Sequence, residues 1–451
     1  MSGNASNTPP PYPPARSAWY MVGVLMVLYV FSFIDRQILG LLVDPIKREF
    51  GVSDTQVGLL QGLSFALFYC ALGIPAGWLA DRFSRRWIVA IGVFLWSLAA
   101  TACGLAANFV QLAIARMGVG VGEAALSPAA YSLIGDAFPR EKLGRAFGVY
   151  NVGIAIGSGL ALILGGLVVN AVSGQQVNYT LPLLGEVRGW QLVFVVTGLP
   201  GVLLCLLMFT FREPARRGLV RAKGQAVAAP LPLSQALRFV RERLDFFAPF
   251  FVAVGLLSVI GYGYLGWLPV ALNRRFDVPV GDVALVLGVA TLIFNTSGIL
   301  LAGRIADALA ARGLQDAALR VCLGVALANS LTGTCAPLMP SILGSYGVLV
   351  LLGLTMSAYT ALVPLAINLV APNQMRAQIG ALYLLVSNLI GLGIGPALVP
   401  FVSDHLIGDP AKVYLSLAIV TFCSGLVAAA LFAWLRPRYA RCVALARAWS
   451  E

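Results

Sequence analysis

Two adjacent ionisable residues, Asp35 and Arg36, interrupt an apolar stretch that runs from residue 19 to residue 42. A stretch of this length is enough to cross a bilayer, and a charged side chain in hydrocarbon costs roughly 2.5–3.5 kcal/mol on a translocon-insertion scale. Such residues persist where they face a protein interior or a wet cavity, so the pair predicts a transport or ion-coupling site. The alternative is a self-neutralising pair that only fixes helix packing.

A second carboxylate inside an apolar stretch, Glu123, follows Arg116 by seven residues. On a helix these two residues share one face and lie about 10 Å apart along the axis. We expect Asp35, Arg36 and Arg116 to share one layer across the membrane, with Glu123 below it. A proton relay would have to use Asp35 or Glu123, and a proton on either would leave net positive charge that favours an anionic ligand. The alternative is a permanently paired packing network.

The apolar stretches of the second half carry aromatic and amide side chains instead of carboxylates. A cavity with one charged wall and one aromatic, amide-bearing wall suits an amphiphile, although each aromatic could equally serve bundle packing or the membrane interface. We therefore predict a substrate site formed by the two arginines Arg36 and Arg116 together with Tyr262, Tyr264, Asn295 and Tyr359.

Composition places the chain among polytopic membrane proteins and excludes a soluble enzyme. Of 451 residues, 59% are hydrophobic and 11% charged, and the mean hydropathy is +0.86. The single histidine and the seven cysteines lack the spacing of metal sites, so we expect no metal and no cofactor. The net charge of +12 could indicate a nucleic-acid partner, but the distribution of basic residues argues against one.

Twelve apolar stretches are predicted to span the membrane, and they divide into two sets of six. Most lysines and arginines fall in the loops on the side that carries both chain ends, which predicts cytoplasmic termini in a cell inner membrane. The predicted stretches are 19–42, 56–79, 87–106, 110–135, 143–168, 189–211, 245–272, 281–303, 317–338, 341–370, 377–402 and 411–435.

The predicted domains follow from this division. A cytoplasmic tail, 1–18, precedes a six-helix bundle at 19–211. A cytoplasmic linker, 212–244, with a short surface helix near 233–243, leads to a second six-helix bundle at 245–436. A second tail, 437–451, ends the chain.

The two halves repeat one another. A glycine stands four residues before an aspartate after both the second and the eighth stretch, and Pro128 and Pro364 occupy matching positions in the fourth and tenth. Internal repeats of this kind build transporters with a site between the halves. We predict a conformational gate in the two glycine–aspartate loops, formed by Gly77, Asp81, Arg82, Arg85, Arg86, Gly303 and Asp307.

The loop Gly77-x-Leu79-Ala80-Asp81-Arg82-x-x-Arg85-Arg86 resembles the signature loop of the major facilitator superfamily, and Leu112-x-x-x-Arg116-x-x-x-Gly120 resembles its fourth-helix arginine motif. The segments 33–36 and 122–124 are similar to the spinster branch of lysolipid and sphingolipid transporters. Ser84 replaces a glycine usual in the signature loop, and the fifth stretch lacks the proline of the antiporter motif. The resemblance implies an all-α membrane protein with twelve transmembrane helices in two pseudo-symmetric bundles.

We therefore expect a secondary transporter, not an enzyme, that works by alternating access and moves a lysophospholipid or related single-chain lipid with proton coupling. The lipid comes from the resemblance alone. One alternative is a proton-coupled transporter of a hydrophilic organic anion or a drug. Another is a membrane receptor that kept the fold without transport. The expected partners are the substrate, protons and the bilayer, without nucleic acid, and we expect a monomer.

Overall fold

The computed structural model describes residues 12–173, 179–181, 185–216, 233–371 and 375–448. Within these residues, twelve helical segments are long and apolar enough to cross a membrane. Residues 1–11 of the predicted first tail, 217–232 of the predicted linker and 449–451 of the predicted second tail lie outside the described residues.

In the first half, long apolar helices alternate with short connections. A small antiparallel hairpin of β1 (Tyr179–Leu181) and β2 (Gly185–Val187) pairs Thr180 with Glu186. A 3₁₀ turn at Cys205–Phe209 ends the half. The described helices are α1 (Ala15–Leu41), α2 (Val43–Phe50), α3 (Asp54–Gln61), α4 (Leu63–Arg82), α5 (Arg85–Cys103), α6 (Phe109–Glu123), α7 (Leu126–Ala137), α8 (Arg140–Ser173) and α9 (Gly189–Leu204).

The second half begins with a short amphipathic helix and continues with six spans. The π-helical segment Thr291–Asn295 lies within the eighth span, a second π-helical segment, Val402–Ile407, ends the eleventh, and a 3₁₀ turn at Pro410–Lys412 begins the twelfth. The described helices are α10 (Leu233–Glu242), α11 (Leu244–Phe276), α12 (Val280–Ala290), α13 (Thr296–Ala311), α14 (Ala317–Leu338), α15 (Ile342–Met356), α16 (Tyr359–Val370), α17 (Arg376–Phe401) and α18 (Val413–Ala448).

The twelve predicted spans are confirmed, and the short helix near 233–243 is confirmed as α10. The largest differences are at two ends. The eighth span continues to Ala311 and the twelfth to Val443, whereas the apolar stretches end at residues 303 and 435. The helices continue there because residues with good helical propensity, among them several Ala and Arg, follow the apolar stretch.

Helix breaks occur at matching places in the two halves. The second span breaks between α3 and α4 at Gly62, and the eighth contains the π segment Thr291–Asn295 at the corresponding place. The fourth span breaks between α6 and α7, and the tenth between α15 and α16. The breaks confirm the repeat.

Because the number of spans is even, both chain ends lie on one side, called here the terminal side; the other is the far side. Near the far side, the halves approach through glycines. A side chain at Gly58 would meet the carbonyl oxygen of Pro396 at 2.4 Å, and one at Gly166 would meet that of Gly281 at 2.6 Å. Only glycine permits so close an approach of main chains.

Polar bonds tie the halves together on the far side as well. The guanidinium of Arg274, at the end of α11, donates to Asp44 at 2.6 Å and to Asp54 at 2.6 Å and 3.0 Å. Thr55 donates to Asp404 through its backbone N–H at 2.8 Å and its hydroxyl at 2.7 Å. The hydrogen bonds and ion pairs that join the halves within the described residues all lie on this side, where the Asn170–Asp282 bond joins them too.

On the terminal side, ionic clusters tie helix ends together within each half. Buried Arg85 donates to Glu213 at 2.9 Å and is paired with Asp136. Burial raises the pKa of Glu213, but hydrogen bonds from Ser84 and Arg85 outweigh burial, so its pKa lies below the usual value. Each half is therefore braced separately on the terminal side.

The second half has a similar brace with its charges exchanged. Asp316 before α14 accepts from Arg320 at 2.6 Å and from Arg436 at 2.8 Å. Burial raises the pKa of Asp316, but these hydrogen bonds outweigh burial and place the pKa below its usual value. The basic residue Arg85 is the first residue of α5, whereas the acidic residue Asp316 directly precedes α14, the equivalent helix of the second half.

Candidate functional site

An ion pair between the first and fourth spans forms the centre of the site. Arg36 on α1 contacts the carboxylate of Glu123, the last residue of α6, through Nε at 2.6 Å and Nη2 at 2.5 Å. Ser32 donates to the same carboxylate oxygen at 2.9 Å. Glu123 is 1% exposed, so the arginine and the hydroxyl compensate a carboxylate that water does not reach.

This pairing differs from the expected layer of Asp35, Arg36 and Arg116. Neighbouring residues on a helix do not face each other, so Asp35 and Arg36 leave α1 in different directions. The long arginine side chain spans the distance to the break after α6. Glu123 is therefore a partner of Arg36 rather than a separate group below the charged layer.

Aromatic rings surround the same guanidinium. The central carbon of Arg36 lies 5.0 Å from the ring centre of Phe33, 4.8 Å from that of Phe65 and 4.8 Å from that of Tyr69. Cation–π contacts with desolvated arginine are favourable. The aromatic faces nearest the charge are therefore already occupied by the protein's own cation.

Asp35 is buried in another direction, with 3% of its surface exposed. Its carbonyl oxygen accepts a hydrogen bond from Arg116 at 3.0 Å, but its carboxylate oxygen Oδ1 has no partner within the described protein. The Nε of Arg116 and the Oε1 of Glu123 are likewise without hydrogen-bond partners among the described residues. The site thus contains buried polar atoms that the protein itself leaves unsatisfied.

A pocket lined by Arg36 and Arg116 reaches residues of the second half. It lies next to the glycine contacts of the far side, and Gly40 on α1 and Gly266 on α11 form part of its wall. The residues that line it are Arg36, Gln37, Gly40, Gln61, Phe65, Arg116, Tyr262, Gly266, Leu392 and Pro396.

The four residues predicted from the second half lie in three places. Tyr262 lines the pocket with Arg36 and Arg116. Tyr264 and Asn295 line a different, mostly apolar pocket, and the Tyr264 hydroxyl donates to the carbonyl of Gly333. Tyr359 is hydrogen-bonded to Ser258 at 3.0 Å. Of the four, only Tyr262 shares the pocket of the two arginines.

Gln61 is a member of the pocket that the sequence interpretation missed. It is the last residue of α3, 7% exposed, and neither its amide oxygen nor its amide nitrogen has a partner in the described protein. A signal was present in the sequence, since Gln61 is an amide inside an apolar stretch and directly precedes Gly62, where the span breaks.

The predicted gate residues lie on the terminal side, toward the ends of α4 and α13 and at the start of α5. Arg82 stacks on the ring of Trp78 at 3.9 Å, and Arg86 donates to the carbonyl of Met208 at 3.0 Å. Arg85 forms the brace described above. Asp307 is exposed.

The remaining three gate positions differ in their surroundings. A side chain at Gly77 would meet Pro128 of α7 at 3.7 Å, and one at Gly303 would meet nothing within 4 Å. The backbone of Asp81 is in α4, and its side chain lies outside the described residues.

Comparison with known proteins places this architecture in context. The model of the Major Facilitator Superfamily matches residues 25–396. The chain is 27% identical to an MFS-type efflux pump of Mycolicibacterium smegmatis, with 94% of each protein covered. It is 27% identical to the sphingosine-1-phosphate transporter SPNS2 of Xenopus tropicalis, covering 86% of this chain and 74% of that one. It is 24% identical to the D-galactonate transporter of an Escherichia coli O6:H1 strain, covering 89% and 93%.

A solved structure is similar over nearly the whole chain. The crystal structure of a bacterial homologue of the human lysosomal transporter spinster, in an inward-facing and unoccupied conformation, superimposes with a TM-score of 0.79 at 26% identity. The match covers 95% of this chain and 99% of the other.

Proposed function

Because the chain belongs to the Major Facilitator Superfamily, a family of secondary transporters, we propose that it moves a lysophospholipid or related single-chain lipid by proton-coupled alternating access. The observation that carries the proposal is the pocket between the halves that Arg36, Arg116, Phe65 and Tyr262 line, with Glu123 paired to one of the two arginines. Arg36 and Arg116 supply positive charge for an acidic head group, and the apolar surroundings suit a chain.

A lipid substrate gains support from the relatives. The spinster homologue matches over 95% of this chain, and one spinster relative is named as a sphingosine-1-phosphate transporter. A phosphate on a single chain presents an anion beside an apolar tail. The arginine pair provides a partner for the anion, and the apolar lining residues Leu392 and Pro396 provide contacts for the tail.

A second candidate substrate is a hydrophilic organic anion. It is favoured by the similarity to a D-galactonate transporter and by the two amides, Gln37 and Gln61, that line the pocket beside the arginines. In that case the arginines would bind the carboxylate of the substrate, and the apolar pocket around Tyr264 and Asn295 would serve only packing.

We assign proton coupling to Asp35 and Glu123. A buried carboxylate without a complete set of partners is costly, and a bound proton removes that cost. Glu123 releases Arg36 when it is neutral, which leaves the guanidinium free to hold an anionic head group. Proton and substrate would then bind cooperatively. The proton neutralises Glu123 and leaves Arg36 without its partner, and the anionic substrate pairs with Arg36.

The proposed movement is a rocking of the bundles 19–211 and 245–436 against each other, connected by a cytoplasmic linker over 212–244. With both termini in the cytoplasm of a cell with an inner membrane, the far side is the periplasmic side. The far-side bonds support an inward-facing state, since they join the halves there. The terminal-side residues Gly77, Asp81, Arg82, Arg85, Arg86, Gly303 and Asp307 would meet when the cytoplasmic side closes.

Uptake into proteoliposomes tests the proposal. Purified protein is reconstituted and offered lysophosphatidylglycerol, sphingosine-1-phosphate and D-galactonate, with and without an imposed pH gradient. We expect uptake of a lysolipid that an imposed gradient accelerates and that a protonophore reduces. Uptake of D-galactonate alone would favour the second candidate, and no counterflow of any of the three would favour a receptor.

Removal of the far-side ion pairs is expected to shift the conformational balance. Arg274→Ala breaks the bonds to Asp44 and Asp54, which exist only while the far side is closed, so the outward-open population should rise. Spin labels on the far-side ends of α3 and α17 would report the change as longer distances between the halves. Arg304→Ala, an exposed arginine on the terminal side, is the control. An unchanged distance distribution in Arg274→Ala would contradict the role of this bond network.

A further inference from the structure

The amide of Gln61 is buried in the arginine pocket and forms no hydrogen bond within the described protein through either of its polar atoms. A buried donor or acceptor without a partner is costly, so native structures rarely leave both atoms of one amide in this condition. The side chain lies between the two halves, where Gly266 of α11 approaches it. Its position suggests a partner that enters the pocket.

The opposite wall leaves room for this amide. A side-chain carbon at Gly266 would lie 2.6 Å from the amide oxygen of Gln61, with its other near contacts at 3.7 Å and 3.9 Å. Glycine at this position therefore allows Gln61 to keep its present orientation toward the pocket that also contains Arg36 and Arg116.

The chemistry of the amide restricts its partner. An amide has an oxygen that accepts and a nitrogen that donates two hydrogen bonds. A phosphate or carboxylate oxygen can satisfy only the nitrogen, and an ammonium group can satisfy only the oxygen. A hydroxyl group is both donor and acceptor, so neighbouring hydroxyls can satisfy both atoms of the amide.

The surroundings also disfavour a cationic head group. Arg36 already occupies the faces of Phe33, Phe65 and Tyr69, which are the rings nearest the charge, and Arg116 lines the same pocket. A trimethylammonium group would meet two guanidiniums and could make no hydrogen bond to Gln61. Choline head groups are therefore poorly matched to this pocket.

We propose that Gln61 is a specificity-determining residue that binds a hydroxyl group of the substrate's polar head, on the side of the anion away from any acyl chain. The substrate class is a hydroxylated anion, whether a glycerol-bearing lysophospholipid or a free sugar acid. The inference rests on the proposed transport function. In that function the arginines recognise the anionic part of the head group, and Gln61 recognises its neutral, hydroxyl-bearing part.

The test compares matched lysolipids that share the backbone hydroxyl and differ in the hydroxyl groups of the head group, together with a sugar acid and its hydroxyl-free analogue. Reconstituted protein is offered lysophosphatidylglycerol, lysophosphatidylmethanol and lysophosphatidylcholine of one chain length, and purified protein is tested for thermal stabilisation by D-galactonate and by hexanoate. We expect the wild type to prefer the glycerol head over the methyl head by at least about tenfold, as is typical when a site that binds a hydroxyl meets an analogue without it. Lysophosphatidylcholine should be the poorest of the three lysolipids.

Two variants separate the amide from general effects on folding. Gln61→Leu removes both polar atoms, and Gly266→Ala displaces the amide without removing it, because the nearest atom to the new carbon is the end of the flexible Gln61 side chain. In both variants the preference for glycerol over methyl, measured as the ratio of the two uptake rates within each variant, should fall to about twofold or less. Gly324→Ala, where a side chain meets nothing within 4 Å, is the control for added volume.

The outcomes are distinguishable from failure of the proposed function. If the wild type transports lysolipids without preferring glycerol, or if both variants keep the wild-type preference, the role of Gln61 is overturned while lipid transport stands. If the wild type transports no lysolipid, the proposed substrate fails. The role of Gln61 then depends on D-galactonate stabilising the protein more than hexanoate does, with the difference lost in Gln61→Leu. Equal or absent stabilisation would overturn it.

Discussion

Asp35→Asn is expected to reduce proton-driven substrate accumulation to below about 1% of the wild-type rate, because proton coupling is assigned to two intramembrane carboxyls and the second, Glu123, is engaged by Arg36. Asparagine keeps the shape of the side chain but cannot take up or release a proton. The carbonyl of residue 35, which accepts from Arg116, remains in place, and no ion pair of the described structure is broken. Folding and ligand binding should therefore be nearly preserved.

The measurement is uptake into proteoliposomes at several external pH values, together with exchange of labelled substrate at equal concentrations on both sides. Exchange should persist in Asp35→Asn, since it needs no net proton movement. Asp277→Asn is the matched control: it is exposed, and its left-handed backbone conformation, with a φ of 54°, is well tolerated by asparagine. If Asp35→Asn transports at the wild-type rate with the same pH dependence, the proton is carried elsewhere, and Glu123 is the remaining candidate.

Arg36→Met is expected to have the largest effect on stability. It leaves the carboxylate of Glu123, which is 1% exposed, with the Ser32 hydroxyl as its remaining hydrogen-bond donor in the described structure. Removal of one partner of a buried ion pair typically costs about 3–5 kcal/mol, because the other charge stays buried without compensation. The melting temperature of the detergent-solubilised protein should fall accordingly, and transport should be lost.

A double variant distinguishes the ion pair from the packing of the arginine side chain. Arg36→Met combined with Glu123→Gln contains no uncompensated charge at this position, so most of the lost stability should return, while transport should remain absent. The comparison of the two single variants with the double variant gives the coupling between the residues. A double variant that is no more stable than Arg36→Met would show that cation–π packing, rather than the ion pair, accounts for the loss.

The twelve spans and their division into repeated halves could be predicted from the sequence, because length and apolar content are local properties. Pro128 and Pro364, which the repeat places at matching positions, follow the interruptions of the fourth and tenth spans. The hydrophobic pattern predicted the ends of α13 and α18 less accurately, because these helices continue beyond the apolar stretches into sequence that contains charged residues.

The candidate site was harder to predict, because it depends on direction around each helix. Tyr262 and Tyr264 are two residues apart on α11, so their side chains leave it about 200° apart, and the structure places them in different pockets. The same geometry separates Asp35 from Arg36. Gln61 was missed because a neutral amide inside an apolar stretch indicates a functional site less strongly than a charged residue does. Its lack of hydrogen-bond partners is visible only in the structure.

The glycine contacts of the far side also bear on the thermodynamics of the conformational change. Where Gly58 meets Pro396 and Gly166 meets Gly281, main chain packs against main chain. Glycine has no side-chain rotamers to lose, so closing these contacts costs almost no side-chain entropy. The closed far side can therefore be stable without a large compensating enthalpy, and a few hydrogen bonds at its rim are enough to decide which state is populated.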